Sequence, residues 1–218
     1  MAYGEHWEWR AFGGLSSRFA RAFLLLPGFY DGQKITDEYL WVPGMDVNVK
    51  LRKGAESGLK FKRNVKSSEP FEVWQEDEDE LFEFPLDEEA WNSLATIFRD
   101  SEISLPGYPA IPPNREHVTE ILEELGCGLV TVQKLRETRK LEISSGSVLV
   151  EWATIKTPQP CCSVGLECWA EDPDIDLTDE ASLDTIREAL SQLSLDEEPL
   201  QPLNYLEAVE SWANGHKI

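Results

Sequence analysis

Charged side chains recur in this sequence at intervals of two, and that spacing is where chemistry could reside. His6, Glu8 and Arg10 alternate with Trp7 and Trp9, and Lys50 and Arg52 alternate with Val49 and Leu51. Lys60 and Lys62 flank Phe61, and Lys134 and Arg136 flank Leu135. Glu151 alternates with Val150 and Trp152, and Glu167 with Leu166 and Cys168. In an extended chain successive side chains point to opposite faces, so each group presents its charges on one face only. Lys and Arg gathered on one surface bind phosphate through charge-assisted hydrogen bonds. Carboxylates are the ligands that Mg²⁺ and Mn²⁺ prefer, and such an ion can bridge protein and phosphate oxygens.

The densest of these groups is Asp46–Arg63, which reads as two strands joined by a turn between Gly54 and Gly58. Val47, Val49 and Leu51 share one face of the first strand, and Leu59 and Phe61 share one face of the second. Six cations (Lys50, Arg52, Lys53, Lys60, Lys62, Arg63) fall within fourteen residues of a chain whose net charge is −21. Focused positive charge in an acidic protein suits a compact anion such as a phosphate chain. The overall charge repels a long polyanion, so nucleic-acid binding is not expected.

The other bounds are those of an ordinary soluble chain. At 218 residues with 41% hydrophobic content, one sizeable core can be built. No apolar run approaches the roughly 20 residues that span a bilayer. The start, MAYGEHWEWR, lacks the basic and apolar regions of a secretory signal, so a cytoplasmic location and no membrane contact are expected. Cys127, Cys161, Cys162 and Cys168 show no metal-finger spacing and read as reduced, structural thiols. His6, His117 and His216 are scattered, which argues against a His-rich zinc site.

The elements that must position the charges follow from periodicity. Strands are expected over His6–Arg10, Lys34–Pro43, Leu129–Arg139, Lys140–Ser144, Ser147–Ile155 and Ser163–Trp169, besides the hairpin. Arg18–Leu26 reads as a helix or irregular link, with Leu24, Leu25 and Leu26 in the core. Helices are expected over Asp87–Asp100, capped by Asp87, and Arg115–Gly126, capped by Asn114 and closed by Gly126. The second of these buries Val118, Ile121, Leu122 and Leu125. Further helices cover Ser182–Leu195 and the tail around Tyr205, Leu206, Val209 and Trp212. The acidic run Gln75–Glu83 reads as a solvated loop or strand tip. The Pro- and Gly-rich stretch 104–114 is a break between two halves of a single domain spanning 1–218.

The fold class is α+β. Strands with one apolar and one charged face fit a sandwich with a wet outer surface. They also fit a barrel whose apolar face lies under outer helices and whose charges line the interior. The amphipathic helices need apolar sheet surface to cover, which favours the barrel.

In the order of these pieces the chain resembles the CYTH (triphosphate tunnel metalloenzyme) family. HWEWR resembles its N-terminal Glu-x-Glu-x-Lys strand, VKLRKGAESGLKFKR its basic hairpin, and VQKLR its Lys-x-Arg strand. VEWATI and SVGLECW are similar to its late acidic strands, and PLNYLEAV to its C-terminal helix. The resemblance implies an eight-stranded antiparallel β-barrel, a tunnel with a charged interior, flanked by helices. It implies metal-dependent hydrolysis of a triphosphate-containing compound with Mg²⁺ or Mn²⁺. Carried across, Lys50, Arg52, Lys60, Lys62, Lys134 and Arg136 would hold phosphate. Glu8, Glu151 and Glu167 would hold the metal, and Glu8 and Arg10 stand at the catalytic positions. Two departures stand out: His6 and Arg10 replace the first Glu and the closing Lys, and Gly165 precedes Glu167 where a second acid is expected. The alternative is therefore a non-catalytic polyphosphate- or nucleotide-binding protein on the same fold. The expected partner is a small-molecule triphosphate, and a homodimer is left open.

Overall fold

The computed structural model describes residues 4–53, 57–76, 81–169 and 180–218. Gly54 and residues 77–80 of the acidic run lie outside them. In chain order the elements are β1 (Gly4–Gly13), α1 (Ser17–Leu25), β2 (Gly28–Trp41), β3 (Val47–Lys53), β4 (Gly58–Ser68) and β5 (Phe71–Glu76). Then come α2 (Glu88–Asp100), α3 (Arg115–Glu124), β6 (Gly128–Ile143), β7 (Gly146–Thr157) and β8 (Cys161–Trp169). Next are α4 (Glu180–Gln192), a short 3₁₀ turn (Leu195–Glu197), β9 (Leu200–Pro202) and α5 (Tyr205–Ala213). The class is α+β, as expected.

All nine strands belong to one sheet in the order β5-β4-β3-β2-β6-β7-β8-β1-β9. The strand pairings are antiparallel, and β1 also pairs with β5. That last pairing closes eight strands into a hydrogen-bonded ring. β1 is its centre of registration: Glu8 lies opposite Glu167 on β8 and opposite Glu72 on β5. The ninth strand, absent from the sequence expectation, is a three-residue addition along β1.

Alternation sorts the side chains onto two faces. Trp7, Trp9 and Ala11 of β1 pack with Val150, Val164 and Leu166 beneath α1 and α4. Val47, Val49, Leu51 and Leu59 pack beneath α2 and α3. Each large apolar side chain so buried contributes roughly 1.5–3 kcal/mol, which is why the amphipathic helices dock here. The residues between them, the charged ones, face the other way.

The helix ends follow the polar cap rule. Ser16, Asp87, Asn114 and Asn204 each accept a backbone N–H of the first turn, and Asn204 and Glu207 form a reciprocal capping box at α5. Gly126, at φ +87°, ends the α3 region in the left-handed conformation that glycine tolerates.

Four expectations are corrected. Leu24 and Leu25 are 61% and 86% exposed. The buried side of α1 is set by Phe19 and Phe23, and residues one and two further on lie about 100° and 200° round the helix. Leu125, expected in the buried stripe of α3, is 37% exposed because the helix ends at Glu124 and Leu125 turns out as its C-cap. The two strands expected over 129–144 are one, since β6 pairs without interruption with β7 from Lys134 to Ile143. Finally, the charged face is not charged throughout. Phe12, Tyr39, Val130, Val132 and Ile155 sit on it and are covered by Tyr205, Ala208, Val209 and Trp212 of α5. One end of the inner face is thus apolar and closed by the C-terminal helix. Among the described residues, no helix is long and apolar enough to cross a membrane.

Candidate functional site

Strand alternation carries Glu8 and Arg10 inward on β1, Lys62 on β4, Arg136 on β6, Glu151 on β7 and Glu167 on β8. The structure brings these six together. Arg10 donates from Nε to Glu8 Oε1 at 2.5 Å, from Nη1 to Glu151 Oε1 at 2.7 Å, and from Nη2 to Glu167 Oε1 at 3.2 Å. Lys62 Nζ donates to Glu8 Oε2, and Arg136 Nη1 lies 3.6 Å from Glu151 Oε2. The Arg10–Glu151 link crosses β8 and the Lys62–Glu8 link crosses β5, so both pass over a neighbouring strand on the inner face.

Arg10 reaches Glu151 because residue 165 has no side chain. Gly165 lies opposite both Arg10 and Glu151 in register. A Cβ there would stand 2.6 Å from Arg10 Nη2 and 2.8 Å from its Cζ. The two departures noted in the sequence, Arg10 and Gly165, are therefore one spatial arrangement: the guanidinium fills the space above the glycine.

The remaining predicted cations sit on the same face. Arg52 Nε pairs with Asp37 Oδ1 at 3.1 Å. Lys50 and Lys60 lie opposite each other across β3 and β4, an arrangement of like charges that opposes strand pairing unless anionic charge lies near. Lys134 is buried at the boundary with the apolar end, where its Nζ bonds Tyr205 Oη at 2.9 Å. Tyr205 in turn stacks on Tyr39 at 5.3 Å and lies 5.0 Å beneath the Arg10 guanidinium. Sequence reading did not find Asp37 or Tyr205. Asp37 was within reach, since it stands two residues before Tyr39 in the expected strand Lys34–Pro43 and alternation puts the two on one face. Tyr205 was not, because no periodicity reports which end of a ring a tail helix covers.

Burial and opposite charge compete over each acid. Burial alone would raise the pKa of Glu8, but Arg10 and Lys62 hold it well below the usual carboxylate range. Glu151 is likewise pushed up by burial and brought far lower by Arg10, Lys134 and Arg136. Asp37 is held down against its burial by Lys50, Lys134 and Arg52. These acids are ionised at neutral pH. Among the described residues the inner face then carries Arg10, Lys50, Arg52, Lys60, Lys62, Lys134 and Arg136 against Glu8, Asp37, Glu72, Glu151 and Glu167, an excess of two cationic side chains.

The donor set bears on the expected Mg²⁺ or Mn²⁺. His6, Glu8 and Glu167 offer ligand atoms within 4.8 Å of one another. Yet Glu8 meets Arg10 through one oxygen and Lys62 through the other, and both Glu151 oxygens face guanidinium groups. Three carboxylates meet three fixed cations, and a divalent ion would enter among like charges. The carboxylates as arranged do not fit a divalent ion.

No family model matches the chain, and no curated protein matches it. Solved structures do. A Pyrococcus horikoshii protein, PH1819, is similar with a TM-score of 0.52 at 14% identity, over 94% of this chain and 98% of that one. A conserved hypothetical protein from Pyrococcus furiosus matches with TM-score 0.47 at 18% identity, over 92% and 98% of the two chains. A candidate adenylate cyclase from Bacillus halodurans matches with TM-score 0.40 at 12% identity, over 94% and 95%. The first of these likenesses shows the fold, and it covers nearly the whole of both chains.

Proposed function

We propose that this protein is a divergent CYTH-like chain whose ring is a tunnel for a small triphosphate-containing molecule. The observation that carries the reading is the excess of cations on the inner face of a protein whose net charge is −21. Such an excess is costly inside a fold unless an anion offsets it. Lys50, Arg52, Lys60, Lys62 and Arg136 are the partly exposed members and stand to meet a phosphate chain first. Lys134 lies buried behind them on Tyr205, and Arg52, Lys62 and Arg136 are also paired with Asp37, Glu8 and Glu151. Binding, rather than metal-dependent hydrolysis, is the reading that the engaged carboxylates support. The arrangement of Glu8, Glu151 and Glu167 that would hold the metal is the one that Arg10 occupies.

Thermal melting in EDTA tests this. Tripolyphosphate should raise the melting temperature more than equal concentrations of orthophosphate or sulfate, because a longer anion spans more of the cations. Equal, small shifts for all three anions would contradict the reading. A parallel assay of phosphate release with Mg²⁺ or Mn²⁺ separates binding from turnover, and sustained release would restore the hydrolase reading.

A further inference from the structure

The acidic cluster on β1, β7 and β8 has a resident cation of its own. We infer that the guanidinium of Arg10 takes the place of a divalent metal there, so that the ring's anion site is complete without one. The inference deepens the triphosphate reading, since it concerns the same inner face.

Three observations carry it. The guanidinium reaches one oxygen on each of Glu8, Glu151 and Glu167, which come from three strands. That is the bridging role a metal ion performs among carboxylates, carried out through a planar fork of N–H donors. Second, the space is dedicated to it. The missing side chain of Gly165 is what lets Arg10 cross β8, and any Cβ at 165 would collide with the guanidinium at 2.6–3.0 Å. Third, the oxygens that Arg10 leaves over on Glu8 and Glu151 face Lys62 and Arg136, so the cluster is neutralised before any ligand arrives. An arginine keeps its charge across the whole working pH range. It therefore cannot be titrated away to admit a metal, as a lysine of lowered pKa could.

The consequence for recognition is specific. A metal would approach a phosphate chain as a bridge between acid and anion, and the acids would then face the ligand through it. Here the acids are turned toward Arg10, and what the ligand meets is the cation set of β3, β4 and β6. The ligand class is then the metal-free polyphosphate anion, bound by Lys and Arg alone.

The test is a titration of the full chain with Mn²⁺ alone, followed by the electron paramagnetic resonance of the free ion. The native protein should leave the free-ion signal undiminished, whereas Arg10→Ala, which vacates the cluster, should take up about one Mn²⁺ per chain and melt higher in its presence than in EDTA. Stoichiometric Mn²⁺ binding by the native protein that is lost in Glu8→Gln or in His6→Ala would overturn the inference. So would a folded Arg10→Ala protein that takes up no Mn²⁺, because the cluster would then have no latent capacity for a metal. Should Arg10→Ala fail to fold, the native titration still decides, and Arg10→Lys supplies the variant with a cation of shorter reach. Tripolyphosphate binding in EDTA reads separately. Its absence would sink the triphosphate reading while leaving the Mn²⁺ result to judge Arg10.

Discussion

Arg10 and Gly165 are complementary: the guanidinium of one occupies the place where the side chain of the other would begin, with Nη2 only 2.6 Å from the position of a Cβ. Gly165→Ala should therefore act as overpacking beneath a fixed charge. It is expected to cost about 1–3 kcal/mol, read as a lower denaturation midpoint at unchanged slope. A neutral or stabilising outcome would mean that Arg10 has room to move.

The network should be brittle at its acids as well. Glu151 is 5% exposed and holds both Arg10 and Arg136. Glu151→Gln keeps its shape and removes its charge. The expected loss is about 3 kcal/mol, the lower end for breaking a buried pair, since Arg10 retains Glu8 and Glu167. Urea unfolding of the two proteins measures it.

Stability should also fall in acid, and the sign follows from the direction of the shifts. Glu8, Glu151 and Asp37 are held below their ordinary values in the fold. The unfolded chain thus binds more protons than the folded one as pH drops below about 5, and stability declines with it. Their contribution is complete above the unfolded carboxylate range and is lost as pH falls through the folded values. Glu72 runs the other way: burial holds its pKa up, so its contribution falls as pH rises through that raised value. Glu38 is lowered too, against its burial, by Lys53 and Arg115. With four acids lowered and one raised, the melting temperature should rise between about pH 3 and pH 6, with the Glu72 effect visible as a flattening near the top. A melting temperature independent of pH over this interval would show that the acids are not paired in the fold.

At the closed end, Tyr205 ties α5 to the charged interior through its hydroxyl and Lys134 Nζ. Tyr205→Phe should keep the ring stacking on Tyr39 and lose the hydrogen bond to a buried charge. About 1.5–3 kcal/mol is expected, again from urea unfolding.

How much of this was legible in the sequence depends on what kind of signal each feature leaves. The period of two placed Glu8, Arg10, Lys62, Arg136, Glu151 and Glu167 on the face where they meet, because alternation is a local property of a strand. The caps at Asp87 and Asn114 were equally local. The pairing of β1 with β5, by contrast, joins residues about seventy positions apart and leaves no pattern in either strand. The exposure of Leu24 and Leu25 depends on which side of α1 meets the sheet, and Phe19 and Phe23 decide that. The burial of Phe12 and Tyr39 on a charged face depends on α5 covering that end. Arg10 and Gly165 were each visible as a departure from the family pattern. That they are one feature is visible only when the reach of an arginine across β8 is set beside the missing Cβ.

The central claim is that the inner cations bind a triphosphate-class anion. Calorimetric titration of tripolyphosphate into the protein in EDTA, beside Lys50→Ala and Lys60→Ala, tests it most directly. One anion per chain should bind, and each substitution should weaken binding by roughly tenfold, the loss expected for one charge-assisted contact at a half-exposed site. No measurable binding, or binding that both variants retain in full, would contradict the account.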